Sequence, residues 1–292
     1  MPDLFDKHGG FRRLHSFTLA QNPPAPLRVT LMQNSAGSDQ PANRAWLEQH
    51  LPPGLETDLI VLPEVFAFRG SDEEYRKAAE PLDGPLAQWV QAQAIRAKAW
   101  VLAGSVLERA GSKIYNTSLL FNREGKRIAT YRKIHLFEAR MESGLLIRES
   151  DVYQAGDHPV LIDMDSWCAG LSICYDVRFP ELYRHYASQG ATLLLIPANF
   201  TQRTGRDHWE VLVRARAIEN QCFVLAPNQC GSNPHTHCRS HGHSLIVSPW
   251  GEVLATAADE PAVLQVTLDP AMLHTTRQRI PALKHRRADI LT

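Results

Sequence analysis

The sequence of this 292-residue chain predicts an α/β fold in a single domain. From residue 27 onward, short aliphatic runs alternate with longer runs in which apolar residues have a helical period. One short run, DLIVLP at 58–63, is apolar at every inner position, which is typical of a strand covered on both faces. No linker, internal repeat or low-complexity stretch divides the chain. We therefore expect one domain over 27–292, including a C-terminal tail, after an N-terminal extension over 1–26 that we expect to be mobile.

The elements are predicted in chain order from their boundary signals. Asp39 is an N-cap residue for the first helix, and Gly125 and Gly251 lie at the turns of two hairpins. The basic stretch from residue 269 lacks a strong apolar pattern, so we expect it to be a solvated extension or to wrap around a partner subunit. Predicted strands cover 27–33, 58–63, 100–106, 116–121, 127–131, 167–173, 192–197, 222–227, 242–248, 252–257 and 261–268, and predicted helices cover 40–51, 84–99, 179–189 and 207–221.

Charge and composition argue against several classes of protein. The 31 Lys and Arg residues are balanced by 31 Asp and Glu residues, which argues against binding nucleic acid through a broad basic face. No apolar run approaches the roughly 18 residues of a membrane helix, so we expect no membrane association. Five cysteines and no export signal predict a reducing compartment, and hence the cytoplasm.

Three predicted strand segments end in polar side chains that their apolar context does not explain. Glu64 follows the strand at 58–63, where a carboxylate is costly unless another group pairs with it or uses it. Lys133 lies among apolar residues in YRKIHLF, and Cys174 ends the strand that begins at residue 167. The carboxyl ends of strands are where α/β proteins place their sites. A structural salt bridge is the alternative interpretation of Glu64.

Cys174 is the candidate nucleophile. The strand ends there, and Pro180 and Glu181 begin a helix. A cysteine close to a helix N-terminus is expected to have its thiolate favoured by the helix dipole and by backbone N–H groups. Most cysteines are inert core residues, and Cys168 in the same strand is interpreted in that way.

Together, Glu64, Lys133 and Cys174 form a set that can perform acyl transfer. A cysteine nucleophile needs a base to remove its proton, and glutamate can be that base. It also needs a cation or N–H donors where negative charge develops on the attacked oxygen, and lysine can supply the cation. No histidine partner and no cofactor are required.

Five motifs in chain order resemble one known family, the nitrilase superfamily of carbon–nitrogen hydrolases, whose members use a Glu–Lys–Cys triad. The resemblance extends over about 27–287 and implies a four-layer α-β-β-α sandwich in one domain. The cysteine is followed by Tyr175 and Asp176, as in amidase-type members, whereas true nitrilases usually have Trp–Glu there. The motifs are LPE at 62–64, YRKIHLF at 131–137, ICYDVRFPE at 173–181, DHWEVLVRARAIENQC at 207–222 and GHSLIVSPWGEV at 242–253.

The resemblance implies an activity and further site residues. The motifs are most similar to the Nit branch, which contains the ω-amidases and the deaminated-glutathione amidases. We therefore expect hydrolysis of a small carboxamide, such as deaminated glutathione or a related ω-amide of a keto acid, to carboxylate and ammonia through a cysteine thioester. Glu149 matches the second glutamate of the family, and the Tyr175 backbone N–H would help Lys133 to stabilise the oxyanion. The family also implies a homodimer or a higher homo-oligomer.

The substrate is less clearly predicted than the chemistry. A distal carboxylate on the substrate would require a cation, and arginine binds carboxylates through two hydrogen bonds. The segment EARMESGLL at 138–146 and the pair Arg206–Asp207 differ from the pattern of the family near the position of the acyl group. The candidates for substrate binding are Arg178, Phe200, Arg203 and Arg206.

Other functions stay open at this point. An N-carbamoyl amino acid amidohydrolase or a nitrilase would use the same triad. The Cys/His tract from Cys230 to Cys238, followed by His241 and His243, could suggest a metal-binding protein, but its spacing does not match structural zinc sites, so we expect no metal. A scaffold that has lost catalysis is disfavoured by the complete set of three catalytic residue types.

Overall fold

The computed structural model describes residues 24–140 and 146–287. Most of the predicted N-terminal extension therefore lies outside the described residues. Where the chain enters the domain, the carbonyl of Ala25 accepts a hydrogen bond of 3.0 Å from the indole N–H of Trp167. No helix in these two ranges is long and apolar enough to cross a membrane.

Fourteen strands form in the described ranges, and most coincide with the predicted ones. They are β1 (Leu27–Gln33), β2 (Leu59–Val61), β3 (Trp100–Ala110), β4 (Lys113–Phe121), β5 (Arg127–Arg132), β6 (Glu138–Arg140), β7 (Leu146–Arg148), β8 (Val160–Met164), β9 (Trp167–Leu171), β10 (Leu193–Leu195), β11 (Phe223–Ala226), β12 (Leu245–Val247), β13 (Val253–Thr256) and β14 (Ala262–Leu268). Three of these strands, β6, β7 and β8, were not predicted from the sequence.

Seven α-helices are present in the same ranges. Asp39 caps the first one as predicted, since its side chain accepts from the N–H of Ala42 at 3.0 Å. The second was missed, although Ser71 and Glu74 form a capping box at its start. The helices are α1 (Gln40–His50), α2 (Asp72–Ala78), α3 (Pro85–Ala97), α4 (Pro180–Ser188), α5 (Gln202–Asn220), α6 (Ala271–Arg279) and α7 (Ala282–His285).

Two six-stranded sheets make up the centre of the fold. The first has the order β14-β1-β2-β3-β4-β5 and the second the order β13-β12-β11-β10-β9-β8. Their inner strands are parallel: β2 pairs with β1 and β3, and β10 pairs with β9 and β11. Since parallel strands are usually covered on both faces, the sheets need an apolar layer on each side.

The alternation of side chains along β2 explains the layers. Leu59 and Val61 join the core between the two sheets, whereas Ile60 packs under α1 and α3 on the outer face of the first sheet. On the second sheet, Tyr186 of α4 and Trp209 of α5 have no exposed surface. The predicted four-layer α-β-β-α sandwich is therefore confirmed.

Part of the C-terminal tail packs against its own chain. Leu273 and Thr276 of α6 are buried. The guanidinium of Arg277 donates to the carbonyl of Ala191 at 2.8 Å and to that of Gln221 at 3.1 Å. This segment is therefore not the solvated extension that the sequence suggested, whereas α7 has no buried residue.

Gly104 of β3 is expected to be intolerant of a side chain. A Cβ atom there would overlap the backbone carbonyl oxygens of Leu62 and Pro63, which cannot rotate away. We expect Gly104→Ala to lower the free energy of unfolding by about 1–3 kcal/mol, the usual cost of overpacking. Urea denaturation followed by circular dichroism measures this free energy for the wild type and the variant. Gly37→Ala is the matched control, because a Cβ atom there has no neighbour within 4 Å; equal midpoints for the two variants would contradict the prediction.

Candidate active site

The three predicted catalytic side chains meet where the two sheets face each other. Glu64 follows β2 and Lys133 directly follows β5, so both come from the first sheet. Cys174 follows β9 of the second sheet. Glu64 and Cys174 line one cavity, and Lys133 lies behind its wall with no exposed surface.

The ammonium of Lys133 is held between two carboxylates. Its Nζ donates to Glu64 Oε1 at 2.9 Å and to Glu149 Oε1 at 2.8 Å. Burial lowers the pKa of Lys133, but the charges of Glu149 and Glu64 outweigh it and hold the pKa well above its ordinary value. Lys133 is therefore a permanent cation at this site.

Glu64 is fixed through both of its oxygens. Oε1 also accepts from the side-chain amide of Asn116 at 2.8 Å, and Oε2 accepts from the backbone N–H of Asn199 at 2.7 Å. The side-chain amide of Gln229 donates to the Glu64 carbonyl at 3.1 Å. With 3% of its surface exposed, Glu64 has a single orientation next to Lys133.

Glu149, which the family resemblance implied as a further site residue, holds the other side of the lysine. Its Oε2 accepts from the backbone N–H of Phe137 at 2.7 Å, and 19% of its side chain is exposed. Burial raises the pKa of Glu149. The charge of Lys133 lowers this pKa, and the nearby charge of Glu64 raises it further. The cluster therefore keeps two carboxyl groups next to one ammonium.

Cys174 lies in a strained turn between strand and helix. Its φ is +48°, in the left-handed region, and its backbone N–H donates to the carbonyl of Pro197 at 2.9 Å. Cys174 is the first residue of a short 3₁₀ segment, Cys174–Arg178, which lies before the first residue of α4, Pro180. The backbone N–H of Tyr175, the predicted oxyanion donor, follows the nucleophile directly, and Tyr175 lines the same cavity.

The expectation that the helix N-terminus favours the thiolate is wrong. Burial raises the pKa of the Cys174 thiol well above its ordinary value, and the charge of Glu64 raises it further. The charge of Lys133 lowers the pKa of this thiol, but it does not offset the combined effect of burial and Glu64. The resting cysteine is therefore a thiol, and it needs a base at the moment of attack.

Asp176 ties the cysteine turn to the lysine segment. Its two oxygens accept from the hydroxyl of Tyr131 at 2.7 Å and from the backbone N–H and ring Nδ1 of His135 at 3.0 and 2.8 Å. They also accept from the backbone N–H of Ile173 at 2.8 Å. These bonds set the distance between Cys174 and Lys133. The sequence contained Asp176 within a motif but did not indicate this role.

The buried side chain of Arg69 supports Asn199 through Ser240. The sequence did not indicate a role for Arg69 or for Asn199. The guanidinium of Arg69 donates to Ser240 Oγ at 2.8 Å and to the carbonyls of Cys230 and Ala36 at 2.9 and 2.6 Å. Ser240 Oγ in turn donates to Asn199 Oδ1 at 2.6 Å. Burial lowers the pKa of Arg69 to about 10, which still leaves it charged at neutral pH. No local sequence pattern marks this contact, because its partners are far apart in the chain.

The cavity in front of the cluster has a volume of about 590 Å³. Besides the predicted catalytic side chains of Glu64 and Cys174, its wall includes Tyr175 and Phe200, which were predicted from the sequence. Thr201, Thr204 and Arg239 also line it and were not predicted. Such a volume falls in the range of small-molecule sites.

The arginines that the sequence proposed for substrate binding are only partly brought to this cavity. The guanidinium carbon of Arg178 lies 5.2 Å from the ring centre of Phe200 and 5.8 Å from that of Tyr175, so it adjoins the wall. Arg203 and Arg206 instead line a separate cavity of about 620 Å³, together with His241 and His243. The assignment of these two arginines to the catalytic cavity is therefore wrong.

The Cys/His tract forms a loop beside the catalytic cavity. Cys230 has no exposed surface, whereas Cys238 is half-buried and lines the cavity. The rings of His241 and His243 stack with their centres 4.3 Å apart. In the part of the chain that the structure describes, no group of three or more His, Cys, Asp or Glu side chains could hold a metal ion.

Comparison with known proteins identifies the family. A carbon-nitrogen hydrolase family profile matches residues 28–278. The chain is 43% identical over 235 residues to a deaminated glutathione amidase of Synechocystis sp., covering 78% of this chain and 86% of the relative. It is 34% identical over 275 residues to the omega-amidase NIT3 of Saccharomyces cerevisiae, covering 90% and 94%.

Solved structures agree with the sequence comparisons. The structure of the C. elegans NitFhit protein is similar with a TM-score of 0.86 and 32% identity, covering 93% of this chain and 67% of that one. Saccharomyces cerevisiae Nit3, a member of branch 10 of the nitrilase superfamily, is similar with a TM-score of 0.81 and 32% identity, covering 91% and 98%. The chain therefore belongs to the carbon-nitrogen hydrolase family, within the nitrilase superfamily.

Proposed function

We propose that the protein hydrolyses a small amide of a keto acid, such as deaminated glutathione or a related ω-amide, through a thioester on Cys174. The observation that carries the proposal is the buried ion pair of Lys133 with Glu64 and Glu149 beside a protonated cysteine. The similarity to a deaminated glutathione amidase and an omega-amidase supports the substrate class.

The first half of the reaction forms the thioester. Glu64 takes the proton of Cys174 as the sulfur attacks the amide carbon, because a thiol with a raised pKa needs a base within reach. Lys133 and the Tyr175 backbone N–H stabilise the negative oxygen of the tetrahedral intermediate. The carbon–nitrogen bond then breaks, and the proton on Glu64 moves to the leaving nitrogen.

The second half releases the acid. Glu64 removes a proton from a water molecule, which attacks the thioester carbon. The carbon–sulfur bond breaks, and Cys174 regains its proton. Glu149 orients Lys133 through their 2.8 Å contact, so that the ammonium faces the oxyanion in both halves.

The nature of the leaving group depends on the substrate. A terminal ω-amide releases ammonia. The expectation of ammonia does not hold for deaminated glutathione, because it is a secondary amide of a 2-oxo acid with cysteinylglycine and its hydrolysis releases the dipeptide instead. Both give 2-oxoglutarate as the acid product. Arg178, beside Tyr175 and Phe200, is the proposed partner of the carboxylate of the acyl half.

Cys174→Ala is expected to abolish hydrolysis and leave the fold intact. The wild-type chain is assayed for 2-oxoglutarate released from deaminated glutathione and 2-oxoglutaramate, and for ammonia from simple amides, N-carbamoyl amino acids and nitriles. The variant should lose at least about a thousandfold in kcat, as enzymes do without their nucleophile. Cys222→Ala is the control, because that thiol is buried away from the cavity. Hydrolysis of nitriles alone, or retained hydrolysis by Cys174→Ala, would refute the proposal.

The pKa of Cys174 gives a second prediction. Because the pKa is raised, the thiolate fraction increases with pH and does not reach a plateau below pH 9. We expect the rate of alkylation by iodoacetamide to rise continuously from pH 6 to pH 9, as measured by mass spectrometry of the peptide that contains Cys174. Cys238, which is half-buried, serves as the internal reference for an accessible thiol. A plateau near pH 7 would show instead that the resting residue is a thiolate.

We also propose that the protein is a homodimer that pairs through α5. Val211 and Ile218 of this helix are 68% and 51% exposed, and Trp250 of the neighbouring hairpin is 45% exposed. Large apolar side chains grouped on one face are typical of an interface. The free thiols of Cys174, Cys222, Cys230 and Cys238 support a location in the reducing cytoplasm.

The dimer can be tested by sedimentation. The wild-type chain is expected to sediment at about twice its mass of 32.8 kDa. Val211→Glu should shift the protein to the monomer, because a charge buried at an apolar interface is costly. Glu210→Gln, on the neighbouring position of the same helix, is the control. A monomeric wild type would exclude the dimer, and a dimeric Val211→Glu would place the interface elsewhere.

A further inference from the structure

One side chain of the catalytic cavity has an atom that the proposed mechanism leaves unused. Asn116 of β4 lines the cavity and is 2% exposed. Its Nδ2 donates to Glu64 Oε1 at 2.8 Å. Its Oδ1 is buried and has no hydrogen-bond partner among the residues that the structure describes. Because buried acceptors are almost always paired, this oxygen is matched to a donor that comes from outside the chain.

The orientation of the Asn116 amide is fixed by its neighbour. A side-chain amide can be flipped, which exchanges its oxygen and its nitrogen. Flipping this amide would put Oδ1 against Glu64 Oε1, and a carboxylate oxygen can only accept hydrogen bonds. The orientation with Nδ2 towards Glu64 is therefore the favourable one, and it leaves Oδ1 as the unused acceptor.

The strand pairing places Asn116 beside Lys133. Thr117 of β4 lies opposite Arg132 of β5, and the backbone N–H of Lys133 donates to the carbonyl of Asn116 at 2.9 Å. Residues that face each other across antiparallel strands have their side chains on the same face of the sheet. The side chains of Asn116 and Lys133 therefore both approach Glu64 from the first sheet, and both bind its Oε1.

The donors around the two carboxylates already have acceptors. Lys133 donates to Glu64 and to Glu149, and its remaining N–H stabilises the oxyanion in the proposed mechanism. The backbone N–H of Asn199 donates to Glu64 Oε2, and that of Phe137 donates to Glu149 Oε2. A hydrogen bond to the unused oxygen therefore has to come from the substrate or from water.

The leaving nitrogen is the part of the substrate that comes closest to this oxygen. Glu64 gives its proton to that nitrogen in the proposed mechanism, so the nitrogen lies within hydrogen-bond distance of the carboxylate. Asn116 binds the same carboxylate, so its Oδ1 lies next to that position. The nitrogen of a primary or secondary amide carries at least one N–H besides the lone pair that receives the proton. Donation of this N–H to Oδ1 turns the lone pair towards Glu64.

We propose that Asn116 binds the leaving nitrogen: its Oδ1 accepts an N–H of that nitrogen while its Nδ2 holds Glu64. The inference rests on the proposed amidase function and adds a residue to its machinery. As the carbon–nitrogen bond breaks, the nitrogen takes the proton from Glu64, and Asn116 exchanges no proton. Water then takes the place of the nitrogen and donates one O–H to Glu64 and the other to Asn116, so that its oxygen faces the thioester carbon.

The test compares an amide with an ester of the same acyl group. The substrates are 2-oxoglutaramate and the ω-methyl ester of 2-oxoglutarate, whose leaving oxygen has no hydrogen to donate. Both give 2-oxoglutarate through the same thioester, so the ratio of their kcat/KM values reports on the departure of the leaving group. A site that binds an N–H discriminates against an analogue without one, so this ratio should depend on Oδ1.

Asn116→Ala is expected to lower kcat/KM for both substrates, because Glu64 loses a donor. The loss should be about tenfold larger for the amide, the effect of one further hydrogen bond. Asn116→Asp keeps an acceptor at this position, so its amide-to-ester ratio should stay close to that of the wild type. Gln229→Ala is the matched control, because that side chain donates to the Glu64 carbonyl at 3.1 Å but does not line the cavity. It should leave the ratio unchanged, and circular dichroism checks that each variant is folded.

The remaining outcomes separate this inference from the proposed function. An active wild type with the same amide-to-ester ratio as Asn116→Ala overturns the role of Oδ1 and leaves the proposed function intact. An equally large change of the ratio in Gln229→Ala also overturns that role, because the ratio would then follow the position of Glu64 alone. A wild type inactive on both substrates overturns the proposed function together with this inference.

Discussion

The ammonium of Lys133 is the constraint on which the site depends. An ammonium without exposed surface costs several kcal/mol unless carboxylates surround it, and Glu64 and Glu149 lie within 2.9 Å of it. Burial opposes a thiolate beside this cluster, and the charges of Glu64 and Glu149 oppose it as well, whereas the charge of Lys133 acts in its favour without offsetting them. The same arrangement that keeps Lys133 charged therefore keeps Cys174 protonated.

The proposed catalytic groups come from both sheets, so their distances depend on how the sheets are joined. Asp176 joins the cysteine turn of the second sheet to Tyr131 and His135 at the end of β5 in the first. Asn199 follows β10 of the second sheet, and its backbone N–H donates to Glu64 of the first, so this hydrogen bond also joins the two sheets. The apolar core between the sheets fixes their separation, and these few polar bonds fix their alignment at the site. Catalytic geometry is thus a property of the whole sandwich rather than of one loop.

The sequence predicted those features that depend on neighbouring residues. Strand alternation and strand ends were enough to locate Glu64, Lys133 and Cys174, and the motifs supplied the sandwich and Glu149. The pKa of Cys174 was predicted in the wrong direction, because a local argument from the helix dipole cannot include burial or the charge of a glutamate 110 positions away. Asn116, Asn199 and Arg69 went unnoticed, since their contacts link segments that are distant in the chain.

The arginines of α5 show how an element boundary changes a functional assignment. The predicted helix began at residue 207 and left Arg203 and Arg206 in a loop close to the substrate. The actual helix begins at Gln202, so the helical period decides which residues face the catalytic cavity. Thr201 and Thr204 line it, and Arg203 and Arg206 line the neighbouring cavity.

The protonated state of Cys174 also bears on how the protein would respond to oxidants. Peroxides react with thiolates much faster than with thiols, so a cysteine whose pKa is raised is oxidised slowly to sulfenic acid. A nucleophile kept as a permanent thiolate would be exposed to that damage between turnovers. In the proposed mechanism, Glu64 removes the proton only when an acyl carbon is present to receive the sulfur. The buried cluster that raises the pKa of Cys174 therefore also slows its oxidation between turnovers.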